Sequence, residues 1–349
     1  MRIALTGATG FIGSRLALAA AALGHAVLAF GLANNGIEED RRSRLAAEGI
    51  AVEALDLAGG PDPAPRLEGV DAVVHLAAAQ HEVKKPDRHF EAVNVKGTIR
   101  LLDAAARAGV GRFVHASTIG VHGEGSGVLD EGTALRPDNV YGRTKLAGEE
   151  AVRAWRDRIQ AVVVRVPETY GPGDLRLLKL FKGVQKGRFL VVGNGLNRHQ
   201  PIYVDDLADA LLACAVHPDA PGRTFVLGGP EAVTTNAMVA AVAAAVGREP
   251  PRVRAPLWPF LTAAYGFEWT FRPLGLDPPL HRRRMGFFTK DQAIRADLAR
   301  EVLGFVPKVD FAEGARRTAA WYAERGLIEA SGQVQDNTDY EKGASGGSA

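Results

Sequence analysis

The sequence predicts an α/β fold, a doubly wound parallel sheet joined to a smaller α/β lobe, and three observations predict it. Short apolar runs alternate with helical patterns through the first half of the chain. A glycine-rich turn joins the first of those runs to the first helix. At 349 residues, 46% hydrophobic and 23% charged, the chain is long enough for two compact lobes.

The turn comes first. Arg2-Ile3-Ala4-Leu5 reads as a buried strand, and Ser14 to Leu23, with Leu16, Leu18 and five alanines, reads as a helix. Between them lies Thr6-Gly7-Ala8-Thr9-Gly10-Phe11-Ile12-Gly13. In that context glycines tighten the turn, let the backbone approach a pyrophosphate, and let helix and sheet pack closely. The N–H groups and positive end of the helix then face the phosphates. Gly7, Gly10, Phe11, Ile12 and Gly13 are therefore expected to cradle a dinucleotide, NAD or NADP. The alternative is a glycine-rich turn in an ordinary α/β protein; the flanking strand and helix weigh against it.

Composition excludes several classes. A net charge of +2 gives no sign of a nucleic-acid or polyanion surface. One cysteine, Cys214, rules out an intrachain disulfide framework and fits a reducing compartment. A strand beginning at residue 2 leaves no room for a signal peptide, and no apolar run reaches the ~20 residues a membrane span needs. The nine histidines form no Cys/His/acid cluster with metal spacing, so no metal is expected. These readings predict a cytoplasmic protein with a small-molecule substrate, no nucleic-acid partner and no integral membrane segment.

Gly24 to Phe30 reads as the second strand. An NAD-selective fold places an acid near its end, about 20 residues past the glycines, to hold the ribose hydroxyls. Here stand Gly31, Leu32, Ala33, Asn34 and Asn35. Arg41, Arg42 and Arg44 follow, either to meet a 2′-phosphate or as a solvated helix face, and the choice between NAD and NADP stays open. Ile50 to Leu55 reads as a third strand and Gly59 to Pro65 as a loop. Ala72 to Ala78 is an apolar strand ending in small residues, with His75 expected as a satisfied core histidine. Phe90 to Ala108 and Asn139 to Trp155 read as helices around the strand Arg112 to Ala116.

Tyr141 and Lys145 lie four apart on the second of those helices, so their side chains share one face. A free tyrosine, with a pKa near ~10, is a poor acid/base at neutral pH. An ammonium within a few ångströms favours the phenolate and lowers that value. The tyrosine can then exchange a proton with an alcohol oxygen while hydride moves to or from a nicotinamide. A hydroxyl donor must also hold the substrate oxygen.

In register with the glycine turn, these segments resemble the extended short-chain dehydrogenases/reductases, the NAD-dependent epimerase/dehydratase family, with features of the 3β-hydroxysteroid-dehydrogenase-like proteins. The resemblance runs from about residue 2 to 328. It includes Asp56-Leu57, His75 to Ala78, Asn94-Val95-Lys96-Gly97-Thr98, Ser117-Thr118, Arg165-Val166-Pro167, Tyr170-Gly171-Pro172-Gly173 and Ile202 to Leu207. It implies a Rossmann-type sheet with the active site between the lobes. Residues 1–166, with a return segment near 200–228, would bind NAD(P). Residues 167–199 and 229–330 would form the substrate lobe, ahead of a disordered tail over 331–349. Thr118, 23 residues before Tyr141 at a strand end, is the implied hydroxyl donor, with Ser117 assisting. Asp56 and Leu57 would sit over the adenine. Leu76, Ala77 and Ala78 would let the cofactor lie flat. Asn94 would brace the strand carrying the active site, Lys145 would reach the nicotinamide ribose, and Pro167 would line the nicotinamide pocket. The two helices 90–108 and 139–155 would pair across a two-fold axis in a homodimer.

Two departures concern substrate. Relatives acting on nucleotide sugars carry Asn where Glu168 stands, and tend to carry Arg where His199 stands beside Arg198. His122 also replaces their Tyr near the active strand. In the second half, the segments 175–187 and 236–246 read as helices of the substrate lobe. The aromatic segment 254–275 reads as lid and core packing, as a lining for a large apolar substrate, or as a weak membrane contact. His281-Arg282-Arg283-Arg284 is either a phosphate site or a surface cluster. The first functional reading is an NAD(P)-dependent oxidoreductase or epimerase working at a secondary alcohol/ketone carbon of a sugar-type substrate. The second is a dehydrogenase or reductase of a bulky apolar alcohol. A non-catalytic NAD(P)-sensing protein is a third, and Tyr141 with Lys145 argues against it.

Overall fold

The computed structural model describes residues 1–80, 85–123, 125, 127–271 and 282–330, with the side chains of Glu268 and residues 282–284 outside that description. The expected tail over 331–349 and the basic side chains at 281–284 therefore lie outside the described residues.

Strand and helix alternate from the start: β1 (Arg2–Thr6), α1 (Phe11–Ala22), β2 (Ala26–Phe30), α2 (Gly36–Ala47), β3 (Val52–Glu53) and β4 (Ala72–His75). They continue through α3 (Gly97–Arg107), β5 (Arg112–Thr118), α4 (Val140–Ala154) and β6 (Gln160–Val166). After a first excursion holding α5 (Leu178–Gln185), the chain returns as α6 (Val204–Val216) and β7 (Thr224–Val226). The seven strands form one sheet in the order β7-β6-β5-β4-β1-β2-β3, every pair parallel. From β1 the chain moves to β2 on one side and later to β4 on the other. That reversal opens a crevice at the carboxyl ends of β1 and β4, where such sheets bind ligands.

Helices cover both faces, which is why β4 is buried throughout rather than alternating. One core packs Leu16, Ala17 and Ala20 of α1 and Leu207, Leu211 and Cys214 of α6 against Ile3, Leu5, Val74 and Val114. The other packs Leu101, Leu102 and Ala105 of α3 against Ala4, Val73 and Phe113. Asn35 caps α2 through the N–H groups of Ile37 and Glu38, and Asn139 caps α4 through that of Gly142.

A separate core forms from segments after β6. It joins Phe181 and Val184 of α5, Met238 and Val242 of α7 (Thr235–Ala245), and Ala315 and Tyr322 of a C-terminal helix Phe311–Glu324 around Tyr170 and Tyr203. The phenols here are structural: Tyr170 donates to the Asp310 carbonyl at 3.0 Å and Tyr322 to that of Asp174 at 2.5 Å. Asp206 ties the lobes together by accepting from the N–H groups of Lys308 and Val309, at 3.1 and 3.0 Å. A smaller cluster gathers Val192, Ala264 and Met285 between α8 (Leu257–Phe271) and α9 (Arg282–Thr289).

The observed bounds differ from expectation for local reasons. β3 keeps only Val52–Glu53 of the expected 50–55 because it is an edge with one neighbour, β2. β4 stops at His75, and Leu76 to Ala78 leave the ladder to line the crevice half-buried. The helix expected over 90–108 begins at Asp87 and passes through a π-helical turn, Ala92–Lys96, before α3. Such turns often mark functional positions, and this one carries Asn94.

Candidate active site

The glycine turn fits the backbone close to its surroundings. Gly7 has φ +77°, and a Cβ there would stand 2.8 Å from the Ala77 nitrogen. At Gly13 it would stand 2.1 Å from the Gly7 carbonyl oxygen, so α1 packs onto the turn only with glycine. Gly10 is the N-cap of α1 and provides no side-chain cap, and no acid lies in the first turn. The first N–H groups of α1 thus face the crevice at a positive helix end, which suits a dinucleotide pyrophosphate.

The basic residues near the second strand do other work. Arg41 donates to the carbonyls of Thr9, at 3.3 Å, and Gly173, at 2.8 Å, and so clamps the glycine turn to the second lobe from behind. Arg42 pairs with Glu39. Arg44 lines a cavity of about 410 Å³ on the outer side of α1, with Phe11, Arg15 and Trp321. That cavity holds none of Tyr141, Lys145 or Thr118, so the chemistry is not assigned to it. Gly31 is no open position for an acid, because a Cβ would meet Thr9 Oγ1 at 2.9 Å. Asp56 accepts from the Ala58 N–H with one carboxylate oxygen, Oδ1, in the manner of a turn former. Any adenine contact would therefore use Oδ2. Leu57 is buried under the start of α3.

Asn94 is buried and makes three hydrogen bonds. Its Oδ1 accepts from the Ala79 N–H at 2.7 Å, and its Nδ2 donates to the Ala79 carbonyl at 3.1 Å and Thr144 Oγ1 at 3.0 Å. The expected brace is thus made, but it joins the segment after β4 to α4 rather than to β5. Through these bonds Asn94 positions the crevice wall, and its Oδ1 keeps a second lone pair.

Thr118 ends β5. Its Oγ1 accepts from the Gly120 N–H at 3.1 Å, which leaves its own proton to donate. A Cβ on Gly142 would stand 2.9 Å from the Gly120 carbonyl, so the start of α4 lies directly on the 118–120 turn. That approach sets Tyr141, half-buried in the first turn of α4, beside the end of β5. Lys145 follows one turn later and is buried. Desolvation pulls its ammonium down to about 8, against the opposing pull of Glu149. Ser117 and Pro167 are both buried at the ends of their strands.

Two residues near the site, His115 and Glu149, were not anticipated in these roles. His115 lies two residues before Ser117 on the same face of β5, and its Nε2 is 3.4 Å from Lys145 Nζ. Burial, then the Lys145 charge, hold His115 well below the usual imidazole range, so it stays neutral beside the ammonium. Its parity with Ser117 was the available signal. His75 is the satisfied core histidine expected, between Thr6 Oγ1 at 2.7 Å and Thr98 Oγ1 at 3.0 Å. Glu149 forms a buried pair with Arg165, at 3.1 and 3.0 Å. His122, where the resemblance expects tyrosine, is buried, with Nε2 3.4 Å from Arg165 Nη1 and Nδ1 3.3 Å from the Ala134 carbonyl.

In the second lobe, Glu168 and His199 meet, with Oε2 3.6 Å from His199 Nδ1. The carboxylate stands in a recess yet is reached by water, its side chain 62% exposed. Burial alone would raise it; the hydrogen bond and charge of His199, with Arg176 and Lys290, hold it below the ordinary carboxylate value. Arg198 does not join them. It forms a two-point pair with Asp291 at 2.8 and 2.9 Å. His199 is fixed by Thr235 Oγ1 at 3.1 Å and the Phe287 carbonyl at 3.0 Å, and stacks on the Phe287 ring. Among the described residues no cluster of His, Cys, Asp or Glu could hold a metal ion.

Known proteins place this geometry in context. The NAD dependent epimerase/dehydratase family matches residues 3–228. A 2-alkyl-3-oxoalkanoate reductase of Stenotrophomonas maltophilia is 31% identical, covering 92% of this chain and 99% of its own. A UDP-glucose 4-epimerase of Mycolicibacterium smegmatis is 28% identical, covering 93% and 99%. In fold, the chain is similar to UDP-glucuronic acid 4-epimerase from Bacillus cereus in complex with NAD, with a TM-score of 0.75 at 22% identity over 93% of this chain and 99% of that one. The glycine turn packed on the segment after β4, the Tyr141/Lys145 helix packed on β5 and the family match over most of the nucleotide lobe agree, and the chain belongs to the NAD-dependent epimerase/dehydratase family of extended short-chain dehydrogenases/reductases.

Proposed function

We propose that this chain transfers hydride at a secondary alcohol or ketone carbon with NAD(P), as an oxidoreductase or epimerase, and that a sugar or nucleotide sugar is its first substrate class. The observation that carries the reaction is the seating of α4, at Gly142 next to Tyr141, on the Thr118–Gly120 turn at the mouth of the crevice. Residues 1–166 and the return 200–228 would hold the cofactor, and 167–199 with 229–330 the substrate. The nicotinamide, when bound, supplies the hydride acceptor or donor. Thr118 donates its hydroxyl proton to the substrate oxygen, and Tyr141 takes or returns the proton of that oxygen. Lys145, buried and cationic at neutral pH, favours the Tyr141 phenolate and reaches the ribose. Ser117 assists Thr118. Arg41, the basic residue nearest the turn, is engaged by backbone carbonyls, which supports NAD over NADP.

A second substrate reading has its own observation. Where a diphosphate clamp is expected, Glu168 stands with His199, and Arg198 is turned away to Asp291. A phosphate charge within ~4 Å of that carboxylate would meet roughly 4 kcal/mol of repulsion at an effective dielectric near 20, less where water screens it. This favours a bulky apolar ketone or alcohol, and the related 2-alkyl-3-oxoalkanoate reductase acts on a substrate named for an alkyl chain. Calorimetry with cofactor saturating separates the two. Binding of UDP supports the sugar-nucleotide reading. Failure of UDP to bind even to Glu168→Asn, with turnover of a bulky apolar, steroid-like alcohol, supports the second.

We further propose a cytoplasmic homodimer in which α3 and α4 pair across a two-fold axis. Exposed Ile99 on α3 is consistent with such a contact. A monomer mass by light scattering at micromolar concentration would reject the dimer.

A further inference from the structure

The net charge of +2 hides a division. Residues 175–200 and 248–290 together carry fourteen Lys/Arg and three Asp/Glu, so these stretches hold +11 and the remainder of the chain −9. The two stretches are neighbours in space. Arg254–Ala255 pairs with Val191–Val192, the rings of Phe189 and Phe288 lie 6.3 Å apart, and Val192 packs with Ala264 and Met285. Exposed basic side chains on them include Lys179, Lys186, Arg188, Arg248 and Arg252.

On this basic lobe lies α8, fifteen residues whose two faces are both apolar. Leu257, Phe260, Leu261 and Ala264 turn inward. Trp258, Thr262, Tyr265 and Trp269, spaced four, three and four apart, form one outward stripe. Trp258 is 70% exposed, Tyr265 57% and Trp269 82%. With Phe267 these are all the exposed aromatic side chains among the described residues. Leu196 and Val253 add exposed aliphatic surface on the same two stretches. A soluble surface rarely concentrates its aromatics this way without a partner.

We propose that α8 and the basic lobe around it form a peripheral docking surface for an anionic lipid bilayer. Tryptophan and tyrosine rings suit the headgroup boundary, where an apolar ring and a polar edge are both satisfied. A helix of this length, ~22 Å, lies along an interface rather than across it, and no described helix is long and apolar enough to cross a membrane. Lysines and arginines draw the face to anionic headgroups, each strengthening binding by roughly 5-fold at low salt. The charge division selects the lipid surface over a second copy of this chain, since two faces each exposing Lys179, Lys186, Arg188, Arg248 and Arg252 would repel on meeting. The proposal holds whichever substrate class the crevice takes.

The test is sedimentation of the full chain with vesicles of phosphatidylcholine alone and with about 30% phosphatidylglycerol. Wild type should pellet with the anionic vesicles, shift its tryptophan emission to the blue, and release by at least ~10-fold in 0.5 M salt. Trp258→Ser/Trp269→Ser should lower binding by at least ~10-fold while NADH binding, read by fluorescence, stays intact. Arg248→Glu/Arg252→Glu, which leaves the stripe whole, should lower binding to anionic vesicles alone. Absence of wild-type binding to anionic vesicles overturns the proposal. So does equal binding by the double serine variant, binding to heparin that matches vesicle binding and ignores the stripe, or a dimer that dissociates when the stripe is removed.

Discussion

The crevice above β1 and β4 and the recess around Glu168 are built by different physics. In the crevice the decisive contacts are backbone against backbone. Gly7 faces Ala77, Gly13 faces the Gly7 carbonyl, and Gly142 faces Gly120. A side chain at any of these would displace an element, so the residue type is dictated by geometry. In the recess the decisive contacts are side-chain pairs between distant segments: Glu168 with His199, Arg198 with Asp291, Asn197 with the Phe287 and Lys290 carbonyls. Such pairs can be exchanged without moving the backbone. On the proposed reading, the cofactor chemistry is held by the scaffold, while substrate choice rests on contacts that can vary.

The comparison breaks most sharply at Gly13. Gly13→Ala pushes a Cβ to within 2.1 Å of the Gly7 oxygen, and the turn must open. Cofactor affinity should fall at least ~10²-fold in a fluorescence titration, with stability reduced by about 1–3 kcal/mol. An affinity within a few-fold of wild type would show that the turn is not rigid.

Lys145 tests the crevice through pH. Its folded pKa, about 8, lies below the ordinary value of 10.5, so the unfolded chain binds the extra proton between those limits. Stability should therefore rise with pH through that window, by a few kcal/mol at most, and the burial cost is fully present below pH 8. Lys145→Met should flatten the rise in denaturant melts of the cofactor-free protein. An unchanged slope would mean that the ammonium is solvated.

Glu168→Asn probes the recess. It should leave cofactor binding and folding alone and, for a diphosphate ligand, tighten binding by up to ~10-fold as a repulsive charge is removed. A smaller effect is expected at the ribose. Gly31 is blocked by Thr9, so the informative change is Leu32→Asp, on an exposed side chain beyond β2. It should move the NAD/NADP affinity ratio toward NAD by roughly 5-fold, because a carboxylate repels a 2′-phosphate. An unmoved ratio would place the ribose elsewhere.

What was legible follows the same line. The glycine turn, the four-residue spacing of Tyr141 and Lys145, and the alternation that builds the sheet are local patterns fixed by backbone geometry. The fate of the arginines was not legible: Arg41 clamps Thr9 to Gly173, a contact spanning 132 residues. Arg198 and His199 lie on an extended segment, so their side chains point opposite ways and only one could meet Glu168. Pairing with Val233–Thr234 chose His199, and no local signal carries that phase. His115 was hidden for a related reason, since its importance depends on α4 landing over it. The exposed stripe of α8 has helical spacing in the sequence, but the spacing alone does not say which face is buried.

In the proposed mechanism Tyr141 exchanges the substrate proton while the scaffold holds the cofactor independently. Comparing wild type with Tyr141→Phe tests it directly, by nicotinamide absorbance for turnover and fluorescence for NADH binding, on whichever substrate class binds. Cofactor affinity should stay within ~3-fold of wild type and turnover should fall by at least ~10²-fold. Turnover within a few-fold of wild type would contradict that mechanism.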